Sequence, residues 1–198
     1  MTLTLHFLRH AKPALTGVLL GRTDCALAPL HFSAGSMVDV NKLTRIYSSP
    51  LLRCQQTATP FAEQSLCPVE VAAALREMDF GVWDGKPYEQ LWQRTEEGAQ
   101  IGDFWQDPWA YTPPQGETME TFHARVVQWW QSVLAQPCVG EWLIVSHAGV
   151  MKILLLAIFG NMRPSGEQLA AIEFSYLCGF KVEVYFDEQV KAWPKVVF

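Results

Sequence analysis

Arg9 and His10 stand where an apolar alternation over residues 3–8 runs out, and a second histidine follows another apolar run in the word Ser146, His147, Ala148, Gly149. In an open α/β sheet, ligands collect in the crevice beyond the carboxyl ends of the strands, so two imidazoles delivered there can face each other across a small volume. An arginine beside one of them narrows the chemistry. A guanidinium offers a fixed fork of donors suited to phosphate or carboxylate, and a neutral imidazole is a capable nucleophile toward phosphorus. The pattern points to phosphoryl transfer through histidine.

Such residues act only if strands and helices bring them together. Leu3, Leu5 and Phe7 alternate with Thr4 and His6, the period of a strand with unlike faces. Residues 11–29 carry Pro13, Gly17, Gly21 and Pro29 and read as a loop leaving that strand end. Residues 45–48 read as a second strand, after which Ser49 and Pro50 open a helix to about residue 63 that Pro60 interrupts or kinks. A third strand is expected over 69–75, ending just before Arg76 and Glu77. Residues 80–115 hold four prolines and four tryptophans and read as a substrate-side excursion over the sheet ends, with short helices near 88–94 and 101–105.

The stripe Met119, Phe122, Val126, Trp130, Val133 and Leu134 predicts a helix over 118–136. Residues 142–145 form a continuous apolar strand of the kind buried on both faces, and 149–159 an apolar helix closed by Gly160. Residues 171–177 and 180–186 are expected to close the sheet as a pair turning near Gly179. Strands alternating with helices predict a three-layer α/β/α sandwich with a mixed, mostly parallel central sheet, as one domain over 1–198.

Composition bounds the partners. The chain has 198 residues, 49% hydrophobic and 18% charged, which suits a folded domain with a large core. A net charge of -5 argues against a general nucleic-acid or anionic-membrane surface. Local arginines must then attract an anionic substrate, which is feasible because distant charges are screened within about 8 to 10 Å. Five scattered cysteines without a Cys-x-x-Cys pair read as reduced cytoplasmic thiols. No signal peptide is evident, and the longest apolar run, 153–159, is far short of the roughly 20 residues that span a bilayer. The apolar content is compatible with a large core or with a homo-oligomer.

Four pieces follow predicted strands: Arg9 with His10, Arg53, Glu77 and His147. Their local words are Leu8, Arg9, His10, Ala11; Ser48, Ser49, Pro50, Leu51, Leu52, Arg53; Leu75, Arg76, Glu77, Met78, Asp79, Phe80, Gly81; and Ser146, His147, Ala148, Gly149. Together and in this order they resemble the histidine phosphatase superfamily. The resemblance implies that His10 is the phosphorylated nucleophile, that Arg9, Arg53 and His147 hold the phosphoryl oxygens, and that Glu77 is the acid and base. It implies neither cofactor nor metal, since guanidinium groups can supply the electrostatic task of a magnesium ion. Arg22 and Ala148 are expected substrate contacts.

The activity so implied is hydrolysis of a small phosphorylated metabolite such as α-ribazole-5'-phosphate. A phosphoglycerate mutase is the alternative within the family, although the modest spacing from Glu77 to His147 and the short stretch after Phe186 favour a phosphatase. A phospho-ligand binding protein that has lost turnover is the alternative of another class. Two departures from the family words stand out: Ala11 replaces the usual glycine after the nucleophile, and His147, Ala148, Gly149 replaces His-Gly-Gly. His6, His31 and His123 read as structural residues. A metal site of His6, His10 and His147 is disfavoured, because His6 shares its strand face with Thr4.

Overall fold

The computed structural model describes residues 1–29, 38–93 and 100–197. Among these, six strands form one sheet: β1 (Thr2–Arg9), β2 (Leu43–Ser48), β3 (Val69–Val71), β4 (Gly140–Ser146), β5 (Gly179–Phe186) and β6 (Ala192–Val197). Their order is β3-β2-β4-β1-β5-β6, with the first four parallel and β5 and β6 joined antiparallel. The helices are α1 (Leu52–Ser65), α2 (Tyr88–Leu91), α3 (Ile101–Gln106), α4 (Met119–Leu134), α5 (Ala148–Ile158) and α6 (Gly166–Ala170). None is long and apolar enough to cross a membrane.

Side-chain alternation builds the layers. Leu3, Leu5 and Phe7 of β1 pack with Val126 and Trp130 of α4 and Val150 and Leu154 of α5. Leu8 instead joins Ile46, Cys54, Ala58 and Phe61 on the α1 side. β4 feeds both faces, Trp142 and Ile144 into the first cluster and Leu143 and Val145 into the second. Its unbroken apolar run is thus what a central strand covered on both sides requires. Each fully buried aliphatic side chain contributes about 1.5 to 3 kcal/mol, so these two clusters hold the sheet between its helices.

Several expectations are corrected. β3 pairs for only three residues, and the chain then turns into a 3-10 segment, Ala73–Leu75, instead of continuing as strand. Helix α1 runs through Pro60 without interruption. The carbonyl deprived of a partner belongs to exposed Gln56, where water can satisfy it, while buried Ala58 and Phe61 keep the helix docked. Leu51 rather than Ser49 is the residue at its cap. Residues 171–177 form no strand, and the closing pair is β5 with β6. Pro194 is tolerated in β6 because that strand is the sheet edge. The short helix expected to reach Arg94 ends at Leu91; Arg94 and His31 lie outside the described residues.

Register brings the site together. Arg9 stands opposite Ser146 and Ser48 opposite Val145, so β1, β4 and β2 end level with one another. The His10 amide donates to the Ser146 carbonyl and the Ser49 amide to the Val145 carbonyl, both at 3.0 Å. The residues that emerge next are His10, His147 and Ser49.

Candidate active site

His10 and His147 sit side by side beyond the strand ends, their ring centroids 5.1 Å apart. Both are buried, with 5% and 1% of their surfaces exposed. His10 Nδ1 lies 2.7 Å from the Ala11 carbonyl oxygen. A carbonyl only accepts, so Nδ1 carries the proton and the lone pair remains on Nε2. Burial, and then the charges of Arg53 and Arg9, push the His10 pKa down to about 3 against the support of that carbonyl. Burial followed by Arg53, His10 and Arg9 holds His147 well below the usual imidazole range. Both rings are neutral at pH 7, the state in which an imidazole can attack.

His147 Nε2 is 2.8 Å from Ser49 Oγ and 3.3 Å from Cys54 Sγ. Burial pushes the Cys54 thiol up, so the sulfur next to the imidazole stays protonated and inert. The Ala11 amide donates to Thr57 Oγ1 at 2.9 Å, and the Ala11 methyl is fully buried without disturbing the strand end.

The two arginines are held differently. Arg53, fully buried in the first turn of α1, donates from Nη1 to the Thr23 carbonyl and from Nη2 to the Gly21 carbonyl, both at 2.8 Å. That loop is fastened in turn by Asp84, whose carboxylate accepts from the amides of Gly21, Arg22 and Thr23. Arg9 donates from Nη1 to the Phe174 carbonyl at 2.6 Å. In each guanidinium the Nε is buried without a hydrogen-bond partner. An unpaired buried donor is costly, and two of them close to paired imidazoles suit an arriving anion.

Glu77 is buried and held by two backbone amides. Its Oε1 accepts from the Met78 amide and its Oε2 from the Gly149 amide in the first turn of α5, both at 3.0 Å. A Cβ on Gly149 would lie 2.3 Å from Glu77 Oε1, so the carboxylate occupies the space that a side chain there would need. Arg125 braces the approach. It grips Glu117 through Nε and Nη2 at 2.8 and 2.9 Å, and donates to the carbonyls of Ala74, Arg76 and Glu77.

A cavity of about 410 Å³ opens beside His10, with the fully buried Arg53 and His147 behind its wall and not on it. Arg9, His10, Glu77, Ala148, Gly149 and Lys152 line it at the polar end. Beyond them the wall is apolar and aromatic, with Leu15, Val18 and Leu19 from the loop after β1 and Phe80, Phe104 and Trp105 from the excursion. Arg22 is not on this wall; it is exposed and paired with Asp79 at 3.1 Å. Asp84 takes its backbone and Asp79 its side chain, which explains why proximity along the loop did not deliver it to the cavity.

The model of the histidine phosphatase superfamily (branch 1) matches residues 5–189. The chain belongs to the histidine phosphatase superfamily. It is 29% identical over 163 residues to the Hydrogenobacter thermophilus protein designated "Putative phosphoserine phosphatase 2", covering 79% of this chain and 78% of that one. It is also 29% identical over 116 residues to the adenosylcobalamin/alpha-ribazole phosphatase of Escherichia coli, covering 58% and 56%. In structure it resembles the alpha-ribazole phosphatase from Shigella flexneri, with a TM-score of 0.73 at 24% identity over 100% of this chain and 96% of the other.

In this histidine phosphatase superfamily enzyme, three residues of the site lay outside the sequence reading. Lys152 is a cation on the otherwise apolar face of α5, and that isolation was its signal. Burial holds its ammonium below the usual range, opposed by nearby Glu77. Arg125 interrupts the apolar stripe of α4 between Phe122 and Val126, a comparable signal. Tyr176, on the cavity wall, gave none, because the strand expected over 171–177 does not form.

Proposed function

We propose that this chain hydrolyses a phosphomonoester through a phosphohistidine on His10. The observation that carries the reading is the His10 ring itself: its Nδ1 proton is committed to Ala11, and its free Nε2 belongs to a ring on the cavity wall beside Arg9 and Glu77. In the first half-reaction, the Nε2 lone pair attacks phosphorus and the ester P–O bond breaks. The Glu77 carboxyl gives its proton to the leaving oxygen. In the second, the Glu77 carboxylate takes a proton from water, the resulting hydroxide attacks phosphorus, and the P–N bond breaks to release phosphate.

Arg9, Arg53 and His147 are proposed to hold the equatorial oxygens, where charge accumulates in the transition state. Ala148, at the amino end of α5, lines the same cavity. Arg22, being exposed and ion-paired, receives no part in this scheme.

The apolar, aromatic wall supports an alcohol with an apolar body over a short, charged one such as phosphoglycerate. A small metabolite, α-ribazole-5'-phosphate, is the first candidate, because its aromatic base suits that wall and the Escherichia coli and Shigella flexneri relatives carry its name. Five unpaired cysteines support a reducing, cytoplasmic setting. The test is release of phosphate from p-nitrophenyl phosphate and from α-ribazole-5'-phosphate by the wild-type chain and His10→Ala. Loss of turnover together with loss of an acid-labile phosphoenzyme is the expected result. Equal activity of the two chains would overturn the nucleophile, and dominant isomerisation of 3-phosphoglycerate would overturn the choice of hydrolysis.

A further inference from the structure

We propose that Tyr176 is a positioning residue of the phosphoryl site, holding the Arg9 guanidinium in a fixed plane beside His10. The inference rests on the reading of His10 and Arg9 as phosphoryl-binding groups and adds a residue to it.

The stretch 174–178 is clasped onto the end of β1 by bonds that converge on one residue. The Arg9 amide donates to the Cys178 carbonyl at 3.0 Å, the Leu177 amide donates to the Arg9 carbonyl at 3.2 Å, and Arg9 Nη1 donates to the Phe174 carbonyl. Leu177 completes this turn with φ of +59°, a conformation that side chains other than glycine rarely adopt. Strain of this kind persists only where the surroundings over-determine it, and it gathers at functional sites. Its product here is the placement of the preceding side chain.

The Tyr176 ring lies beneath the Arg9 guanidinium and tilted 46° to the His10 ring. Arg9 Cζ is 4.1 Å from the ring centroid, and the His10 ring centre is 5.6 Å from it. Tyr176 is 38% exposed and lines the cavity, so its ring is not there to fill the core. A guanidinium is a planar fork with donors along its edges. Covering one face with an aromatic ring leaves those edges free while removing the rotations that misdirect them. Nη1 is already engaged by Phe174, and the buried Nε has no partner. Freezing this edge before substrate arrives removes an ordering cost from binding and from the transition state.

Tyr176→Phe keeps the ring and Tyr176→Ala removes it, while Tyr176→Leu retains bulk without an aromatic face. Two readouts apply to each chain: kcat/KM on p-nitrophenyl phosphate and the Kd for inorganic phosphate by titration calorimetry. Tyr176→Phe is expected within about 2-fold of wild type, and Tyr176→Ala and Tyr176→Leu weaker by about 5- to 30-fold in both readouts, the range of a partly desolvated cation–π contact. Phosphate affinity unchanged in Tyr176→Ala would overturn the proposal. So would Tyr176→Phe as impaired as Tyr176→Ala, since the hydroxyl would then carry the effect. Phosphate affinity is read without turnover, so an inactive wild-type chain would refute hydrolysis and leave this test standing.

Discussion

Gly149→Ala perturbs the acid and base through one methyl group. The added Cβ would meet Glu77 Oε1 at 2.3 Å and Glu77 Cδ at 3.1 Å, where ordinary contact begins at 3.4 Å. The obstacle is the far end of a flexible side chain, so the carboxylate must withdraw while the α5 backbone stays. That shift is about 1 Å, and displacement of a catalytic group by that much can cost on the order of 100-fold in rate. It also lengthens the bond from the Gly149 amide to Oε2, now 3.0 Å. Stability moves little, because a helix gains up to about 1 kcal/mol when alanine replaces glycine and loses a similar amount with one hydrogen bond.

The assay is kcat/KM on an alkyl phosphomonoester, whose poor leaving group needs the acid, with p-nitrophenyl phosphate alongside. We expect a loss near 100-fold on the alkyl ester, a smaller one on the aryl ester, and an unchanged melting temperature. Glu77→Gln supplies the control: added to it, Gly149→Ala should cost almost nothing further, since both act through one carboxylate. Full activity in Gly149→Ala, or losses that multiply in the double variant, would refute the reasoning.

Arg125→Met leaves the half-buried Glu117 carboxylate without its cation and frees three carbonyls before and at Glu77, so we expect a loss of about 2 kcal/mol in urea unfolding. Arg125→Met with Glu117→Gln should recover part of it, and a double variant no more stable than the single one would reject the unpaired-charge account. Acid should weaken the fold through the two imidazoles. The His10 pKa is about 3 when folded against 6.5 ordinarily, so the unfolded chain takes up the proton first. His10 therefore contributes stability above pH 6.5 that is lost as pH falls toward 3, with a slope approaching about 1.4 kcal/mol per pH unit. Urea midpoints from pH 7 to 5 should fall less steeply for His10→Asn than for wild type, and parallel profiles would contradict that origin.

The sequence by itself determined the layered architecture and the carboxyl ends of β1 and β4. The alternation of Leu3, Leu5 and Phe7, the unbroken run from Trp142 to Val145 and the stripe of α4 are patterns that only one arrangement of faces can bury. It placed His10 and His147 each directly after a strand, because local periodicity marks where those strands stop; Arg53 stands instead in the first turn of α1, and Glu77 beyond a 3-10 segment that no periodicity announced. What it could not determine were contacts between distant segments. Arg22 and Arg53 both stand near Gly21 in the fold, yet only packing sends one outward to Asp79 and buries the other beneath the loop. The word His147, Ala148, Gly149 looks like a pattern with one glycine missing. The tertiary structure gives the reason: Ala148 faces an open cavity, whereas the space above Gly149 is filled by a carboxylate 72 residues earlier in the chain. The same holds for residues 171–177, whose apolar content suggests a strand but whose Phe174 carbonyl and Tyr176 ring are drawn to Arg9 instead. Periodicity reports which face is buried; which partner buries it is settled only when the chain closes on itself.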